Sequence, residues 1–486
     1  MSLSRLRAEW CPSIPRELLA GAVATFALIP EVIAFSFVAG VDPAVGLFAS
    51  FVISIVIAFT GGRPAMVSAA AGSVALVAAP LVQSHGLPYL LAAGVLAGLV
   101  QIAFGLLRLG VLMRFVSSSV RTGFVNALAV LIFSAQLPHL QDANSATWAM
   151  LALGLALIYG LPRLPFRLFT VLPSPLICIL VLTGLSLWLG LPLATVADLG
   201  KLPDTLPVFG WPGVPLDLQT LRLIAMPALA IAMVGLLESM MTASVVDEMT
   251  DTPSSKNREC SGLGMANIAA SLFGGIAGCG MIGQTVSNVK YGGRGRLSTL
   301  FAGLFLLILM VLLKPWVAQV PVVALVAIMV MVSAATFDWG SLRTLVRHPR
   351  LSSAVMLATV AVTLATHNLA AGVAVGVVMS GVFFAFKVAH MLDVRAEDDP
   401  TGLRSWTVTG QVFFASADAF IDAFDVLGAE GRPVRIDVTR AHFWDVTAVA
   451  ALDKVVQRLR HHGCTVEVVG LNAASAVLID RLAPPR

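Results

Sequence analysis

Charged residues are scarce in this chain, where they occupy only 12% of the 486 positions. In soluble globular proteins about a quarter of the residues are charged and roughly half are apolar. Here 58% of the residues are apolar, and the mean hydropathy is +0.89. This composition excludes a soluble globular protein and predicts that most of the chain is surrounded by lipid.

Cysteine-based and catalytic motifs are missing too. The five cysteines are scattered, and none of them belongs to a CxxC pair: Cys11, Cys178, Cys260, Cys279 and Cys464. This spacing supports neither a disulfide framework nor a zinc site. The sequence also has no HExxH motif and no Ser/His/Asp grouping, which argues against a membrane enzyme. We expect no metal, no cofactor, no nucleic-acid partner and no enzymatic activity.

Residues 1–17 contain no apolar run, so they do not have the pattern of a cleavable signal peptide. They carry charges of both signs together with Pro12 and Pro15. We expect them to form a cytoplasmic lead-in to the first membrane span.

Apolar segments dominate the chain from residue 18 to residue 388. A spanning helix needs about 20 such residues. We predict fourteen segments, near 18–40, 43–60, 66–84, 88–107, 119–137, 146–160, 171–191, 222–246, 259–277, 282–291, 296–313, 320–337, 352–367 and 370–388. Several of them are too short to cross alone, and 282–291 is hardly hydrophobic. The transport domain is therefore predicted to cover residues 18–391.

The distribution of positive charge tests this count. With the N-terminus in the cytoplasm, seventeen of the twenty Lys and Arg residues up to Arg350 fall in inner segments. The outer loops carry only Lys201, Arg222 and Lys314. Cytoplasmic loops of membrane proteins are rich in Lys and Arg. The bias predicts that both termini are cytoplasmic.

The composition changes abruptly after Lys387, where Asp393, Arg395 and Glu397 precede Pro400. We interpret 392–405 as a linker and 406–486 as a compact α/β unit. Strands are predicted at 406–415, 433–439 and 465–469, and helices at 417–428, 447–462 and 472–482.

The two halves of the apolar region resemble each other. Glu31 is the only charge deep in the first span, and the small-residue stretch 68–73 follows about 40 residues later. Glu238 is the only charge deep in the eighth span, and the glycine-rich stretch 278–285 follows about 45 residues later. Interrupted segments at corresponding places predict an inverted-repeat transporter with its site at mid-membrane.

A helix that begins inside the membrane presents unpaired N–H groups and the positive end of its dipole. Two such helices meeting head to head form an anion site without Arg or Lys. The small residues Ala71, Gly72 and Gly283 would let the substrate approach the backbone. The side chains of Ser73, Gln284 and Thr285 would add hydrogen-bond donors. The alternative is that these are small packing positions between helices.

Glu31 and Glu238 carry a second prediction. A carboxylate at the centre of a span costs roughly 2.5–3.5 kcal/mol on insertion scales, so it normally faces a cavity. Pro30 frees a carbonyl beside Glu31, and Thr242 lies one helical turn after Glu238. We interpret Glu31, Glu238 and Thr242 as a proton or cation coupling site. The alternative is that the carboxylates are structural and bind neighbouring broken backbone.

Several motifs resemble those of one known family. Residues 29–40 (IPEVIAFSFVAG) are similar to the first-span signature of the sulfate permease (SulP) anion transporters. Residues 237–242 (LESMMT) with Asp247, Asn267 and Gly274-Gly275 resemble that family's eighth- and ninth-span motifs. The C-terminal unit is similar to the family's STAS domain.

The resemblance implies a fold and a site. The fold would be a polytopic α-helical membrane protein, with a seven-plus-seven inverted repeat, a core domain and a gate domain, and commonly a homodimer. The anion would lie between the third and tenth segments. Carried over by position, the site comprises Glu31, Phe35, Ala71, Gly72, Ser73, Gly283, Gln284 and Thr285.

Three departures from the family pattern matter. Position 31 is more often Gln, so Glu31 suggests proton coupling. Sodium-coupled members tend to have Asp where this chain has Glu238, which makes sodium the less favoured ion. Val446 stands where phosphorylated relatives have Ser in the STAS loop.

The sequence therefore predicts a secondary active transporter of a small anion in a bacterial inner membrane. The candidate substrates are sulfate, bicarbonate or a dicarboxylate such as fumarate, carried with a proton by alternating access. A sodium-coupled symporter and a passive anion channel of the same fold are the alternatives.

Overall fold

The computed structural model describes residues 9–110, 116–141, 143–163, 174–199, 207–215, 217–347, 350–400 and 402–482. The first eight residues of the predicted lead-in and residues 171–173 of the predicted seventh span lie outside the described residues. Arg114, Arg167 and Lys201, which entered the charge count, lie outside them too. The chain divides into two compact units between Val377 and Val378.

Each of the fourteen predicted segments contains a helix within the described residues. These helices are α1 (Ile14–Ala39), α2 (Pro43–Thr60), α3 (Gly72–His85), α4 (Leu87–Leu106), α5 (Ser118–Ser134), α6 (Ser145–Gly160), α7 (Ser174–Leu189), α8 (Leu218–Thr250), α9 (Lys256–Leu272), α10 (Ile282–Lys290), α11 (Arg296–Ala318), α12 (Val322–Thr336), α13 (Arg350–Thr366) and α14 (Leu369–Ala389). Seven helical stretches of the described chain are long and apolar enough to cross a membrane.

Helix boundaries differ from the prediction where polar residues cap or extend a span. Helix α8 is 33 residues long, because Asp217 caps its start ahead of the apolar run. The Asp217 carboxylate accepts the N–H of Thr220 at 2.7 Å, and this bond lowers the pKa of Asp217 below its usual range. A short helix that hydropathy did not predict, Trp339–Arg347, precedes α13.

The third and tenth segments are interrupted, as the sequence indicates. A short strand β1 (Ser68–Ala70) precedes α3, and a strand β2 (Gly278–Gly280) precedes α10. The two strands pair antiparallel. Inside a bilayer every backbone N–H and C=O needs a partner within the protein, so the two extended segments depend on each other.

The helices of the first unit pack in two groups. One group contains α1–α4 and α8–α11, and the other contains α5–α7, α12 and α13, with the first turns of α14 packed on α13 through Gly372 and Gly376. In the first group, α9 packs closely on α4 because glycines face each other: a side-chain carbon at Gly98 would lie 2.6 Å from the carbonyl oxygen of Gly264. Small residues allow such close approach of membrane helices. The first group forms the core domain and the second forms the gate domain.

The C-terminal unit is a four-stranded sheet with the strand order β3-β4-β5-β6. Its elements are β3 (Asp393–Asp398), β4 (Arg404–Val412), α15 (Ala417–Asp422), β5 (Pro433–Phe443), α16 (Val446–His461), β6 (Thr465–Val469) and α17 (Ala473–Leu482). Strands β4, β5 and β6 are parallel, and β3 is antiparallel to β4. Trp406 and Phe420 are among its fully buried side chains.

The interpretation of residues 392–405 as a linker is wrong at 393–398, because these residues form β3. This edge strand is exposed at almost every position and carries Asp393, Arg395 and Glu397. Charged side chains are a usual feature of edge strands. They give such a strand the composition of a linker.

Candidate functional site

The two interrupted segments place two helix N-termini on either side of one short ribbon. Ala70 pairs with Gly278, and Ser68 pairs with Gly280. Since the strands are antiparallel, α3 begins at one end of the ribbon and α10 begins at the other. At about 3.3 Å per residue the ribbon is roughly 10 Å long. The first-turn N–H groups of both helices therefore point back towards each other, with the positive ends of both dipoles.

Serine side chains of α2 hold the outer edge of β1. The Ser54 hydroxyl donates to the carbonyl of Ser68 at 2.9 Å. The Ser50 hydroxyl oxygen accepts the N–H of Ala70 at 3.2 Å. Neither serine was predicted as a site residue, because a buried serine in an apolar helix has no distinct local pattern.

Residues of α8 and α9 hold β2 in the same way. The Ser239 hydroxyl oxygen accepts the N–H of Gly280 at 2.8 Å. The Asn267 side-chain oxygen accepts the N–H of Gly278 at 2.9 Å, and its amide nitrogen donates to the Gly278 carbonyl at 3.2 Å. In the sequence, Asn267 stands out only as part of the motif that resembles the ninth span of the family.

Glu238 ties both interrupted segments to α8. One oxygen of its carboxylate accepts hydrogen bonds from the Ser73 hydroxyl and, at 3.1 Å, from the Cys279 thiol. The Thr242 hydroxyl lies one turn further along and bonds to the carbonyls of Glu238 and Gly280, each at 2.9 Å. These contacts hold the first turn of α3 and the strand before α10 against the same helix.

Glu31 of α1 lies beside Gln284 of α10, and Glu238 is close enough to act on it electrostatically. Gln284 is only 1% exposed. Its Nε2 atom has no hydrogen-bond partner among the residues that the structure describes. An amide carries two N–H donors: the Glu31 carboxylate lies beside this amide, and an acceptor entering next to it would bind the other donor.

The surroundings of the two helix starts differ. A side-chain carbon at Gly72 would lie 2.6 Å from the ring of Phe35, so this ring covers the start of α3. A side-chain carbon at Gly283 would meet no atom within 4 Å. Ala71 is buried. The open space therefore lies at the start of α10, next to Gln284.

Thr285 is the predicted site residue that faces away from this space. Its hydroxyl oxygen accepts the N–H of Val67 at 3.0 Å, which fastens α10 to the chain ahead of β1. The structure brings the other predicted residues together around the two helix starts: Glu31, Phe35, Ala71, Gly72, Ser73, Glu238, Gly283 and Gln284.

A second cluster of buried charges closes the core domain where α2 ends and α9 begins. Glu259 is fully buried, and its Oε2 atom accepts the N–H groups of Gly62 at 2.7 Å and Arg63 at 3.0 Å. Arg296 donates to the carbonyls of Ala58 and Gly61 at 2.9 and 2.8 Å. In the sequence, Arg63 and Arg296 are recognisable only as loop charges.

Glu17 plays the corresponding role at the start of α11. Its carboxylate accepts the N–H groups of Arg294, Gly295 and Ser298 at 2.7, 2.9 and 3.0 Å. A carboxylate that binds backbone N–H groups at a helix start satisfies donors that the helix itself leaves free. Acidic residues near helix starts were visible in the sequence, but their targets were not.

Within the described residues, no group of three or more His, Cys, Asp or Glu side chains is arranged to hold a metal ion. The polar groups described at the two helix starts are backbone N–H groups, the Gln284 amide, the Ser73 hydroxyl, the Cys279 thiol and the carboxylates of Glu31 and Glu238.

Comparisons with known proteins agree with this arrangement. Residues 14–144 and 137–359 match the sulfate permease family, and residues 400–483 match the STAS domain. The chain is 48% identical over 478 residues to YbaR of Bacillus subtilis (strain 168), a sulfate transporter by name, with 98% of this chain and 99% of YbaR covered. It is 24% identical over 489 residues to the bicarbonate transporter BicA of Synechocystis, with 90% of this chain and 85% of BicA covered.

Two solved structures share the fold. The structure of SLC26A9 has a TM-score of 0.82 at 18% identity, with 96% of this chain and 86% of that chain covered. The transmembrane domain of the cyanobacterial bicarbonate transporter BicA has a TM-score of 0.66 at 23% identity, with 76% of this chain and 98% of that domain covered. The chain therefore belongs to the sulfate permease family, and it is a multi-pass membrane anion transporter with a C-terminal STAS domain rather than an enzyme.

Proposed function

We propose that this protein is a secondary active transporter that carries a small oxyanion together with a proton by alternating access. One observation carries the proposal: the buried Gln284 amide lies beside the Glu31 carboxylate, between two helix starts that face each other. An anion in this space would accept a hydrogen bond from an N–H of this amide. It would also lie at the positive ends of two dipoles.

The proposed substrate site comprises the open space at Gly283, the Gln284 amide and the first-turn N–H groups of α3 and α10. Ser73 and Thr285 contribute by fastening the helix starts, because their hydroxyls already bond to Glu238 and Val67. Phe35 forms a wall of the site through its contact with Gly72.

Sulfate is the proposed substrate, since YbaR is a sulfate transporter by name. Bicarbonate is the next candidate because of the likeness to BicA. Both anions present oxygen acceptors in several directions, which suits N–H donors converging from opposite ends of the ribbon. A dicarboxylate such as fumarate meets the same donors with one of its carboxylates.

Glu31 is the proposed coupling group. An ionised carboxylate at 4 Å from the anion would repel it by roughly 4 kcal/mol at an effective dielectric of 20. Protonation removes this repulsion, so anion and proton would bind together. Glu238 is already held by two donors, and we assign it and Thr242 to bracing the helix starts.

The proposal includes the setting of the molecule. It lies in a bacterial inner membrane with both termini in the cytoplasm, as the charge bias of its loops supports. It works as a homodimer, which is the assembly that the family resemblance implies.

Uptake into proteoliposomes tests this function. Labelled sulfate, bicarbonate and fumarate are offered with an inward proton gradient and, separately, with a sodium gradient. We expect accumulation of one anion that follows the proton gradient and ignores sodium. Accumulation driven by the sodium gradient would show that sodium, and not the proton, is the coupling ion. Flux without accumulation against a gradient would indicate a passive channel.

Glu31→Gln tests the coupling residue. This variant mimics the protonated carboxyl group, so it should still exchange substrate across the membrane while losing concentrative uptake. Glu248→Gln is the control, because that glutamate is exposed. Full proton-driven accumulation by Glu31→Gln would transfer the coupling role to Glu238.

A further inference from the structure

The C-terminal unit leaves an apolar patch uncovered where its parallel strands β4 and β5 end. We call this end of the sheet its carboxyl edge. Phe414 is 66% exposed, Trp444 59% and Val446 61%; we call these three residues the carboxyl-edge patch. Aromatic side chains each carry roughly 150–250 Å² of surface. Together they approach the few hundred Å² of contiguous apolar surface that soluble proteins rarely leave open.

The patch is built by two adjoining loops that follow parallel strands. Trp444 N–H donates to the carbonyl of Val412 at 3.1 Å, and Phe414 N–H donates to the Asp445 carboxylate at 2.9 Å. The indole nitrogen of Trp444 donates to Gln411 at 2.7 Å. These backbone and indole N–H groups are therefore satisfied inside the unit, while the three apolar side chains of the patch face outwards.

The topology places this edge next to the last membrane helix. Strand β3 begins at Asp393, which pairs with Thr409 near the end of β4. Only three residues separate Asp393 from the end of α14 at Ala389. Four Cα–Cα steps of about 3.8 Å reach at most about 15 Å. The chain thus enters the sheet at the edge that carries the patch.

The connection between α14 and the sheet is also conformationally restricted. Helical hydrogen bonds continue beyond α14, with Met391 N–H bonding to Val388 at 3.1 Å and Leu392 N–H bonding to Ala389 at 3.4 Å. The Leu392 side chain packs against the core of the C-terminal unit. The sheet edge is therefore held at the helix end rather than carried on a loose tether.

Exposed apolar side chains of α14 lead towards this edge. Val378, Val382 and Phe386 are spaced four residues apart, so they form one exposed stripe along α14. Met391, which is exposed as well, extends the apolar surface to the start of β3. Trp side chains are favoured at the boundary between lipid and water, and Phe is common on apolar faces that enter this boundary.

We propose that the carboxyl edge of the C-terminal sheet docks on the bilayer, with Phe414, Trp444 and Val446 inserted among the lipid headgroups. The continuity with the exposed stripe of α14 favours lipid over a protein partner. Asp445 and the exposed Asp418 lie near the patch, so docking depends on apolar insertion and not on anionic lipid. The docking would fix the orientation of the STAS domain at the membrane surface.

Fluorescence quenching in proteoliposomes of phosphatidylcholine tests the proposal with the full chain. Val446→Cys is labelled with an environment-sensitive dye in a Cys11→Ser background, because Cys11 is only half-buried while the other four cysteines are buried. Leu427→Cys is the matched control: Leu427 is apolar and 75% exposed, and it precedes β5 at the opposite edge of the sheet. Lipids spin-labelled at the headgroup quench only a dye that lies at the membrane.

We expect at least threefold stronger lipid quenching at position 446 than at position 427, unchanged in 0.5 M salt. Adding Phe414→Ser and Trp444→Ser should lower the quenching at 446 towards the control. Iodide quenching at 446 equal to that at 427, without lipid quenching, would show that the patch faces water and would overturn the proposal. Shielding of 446 from both lipid and iodide would indicate a protein occupant, such as a second copy, and would overturn it too.

Discussion

The Ser73 hydroxyl donates a hydrogen bond to the Glu238 carboxylate, and this contact joins the start of one half-helix to the span that braces the other. The Cys279 thiol donates to the same carboxylate oxygen from the strand before α10. The carboxylate is therefore a shared anchor for both halves of the repeat.

The anchor predicts that Ser73→Ala weakens substrate binding and stability together. A hydrogen bond to a charged group contributes about 1.5–3 kcal/mol, so the apparent KM should rise by roughly tenfold. Cys279→Ser is the matched control, because it keeps a donor at the second position. A double-mutant cycle with Glu238→Gln should give a coupling energy of about 1–2 kcal/mol, and a coupling energy near zero would contradict the anchor.

The open space at Gly283 predicts that Gly283→Val folds normally and loses substrate binding. The new side chain meets no atom within 4 Å of its first carbon, so it covers the N–H groups without distorting the helix. Binding of labelled anion to purified protein measures the loss. Gly278→Ala should instead fail to fold, since its side chain would collide with the backbone of Ala69.

Ala71 is a less clean target than Gly283. It is buried, so a bulky replacement there would overpack its surroundings at a cost of about 1–3 kcal/mol. Normal binding by folded Gly283→Val would exclude the start of α10 as part of the anion site.

The buried Glu259 predicts a stability effect that is separate from transport chemistry. Glu259→Ala leaves the N–H groups of Gly62 and Arg63 without their acceptor, at about 1–3 kcal/mol for each buried group. Glu259→Gln keeps an acceptor oxygen and should recover more than half of the loss. Thermal unfolding in detergent measures both, and the exposed Glu248→Ala should change stability by less than about 0.5 kcal/mol. An unchanged melting temperature for Glu259→Ala would argue against this role.

The charge bias of the loops predicts which surface each loop occupies. Gly213→Cys should react with an impermeant thiol reagent added to intact cells, and Ser255→Cys should react only after the cells are opened. Both positions are exposed, Gly213 has open space around it, and the Ser255 side chain makes no capping bond. The reverse labelling pattern would invert the proposed topology.

Hydropathy and charge could predict the fourteen segments because a segment that lies in lipid needs apolar residues along its whole length. The interruptions near 68–73 and 278–285 were visible for the same reason: glycine and polar residues break an apolar run. Glu31 and Glu238 stood out because a charge inside an apolar segment is rare. These signals are local, and they do not depend on knowing which helices meet.

Only the tertiary structure decided how the interrupted segments are held and which groups each buried carboxylate contacts. The register of Ala70 with Gly278, the support from Ser50 and Asn267, and the contact of Glu259 with the loop after α2 join residues far apart in sequence. Nothing in a residue's own neighbourhood encodes a distant partner. The linker prediction was wrong at 393–398 for the same reason. These charged residues form an edge strand because their backbone pairs with β4, and their composition does not show this pairing.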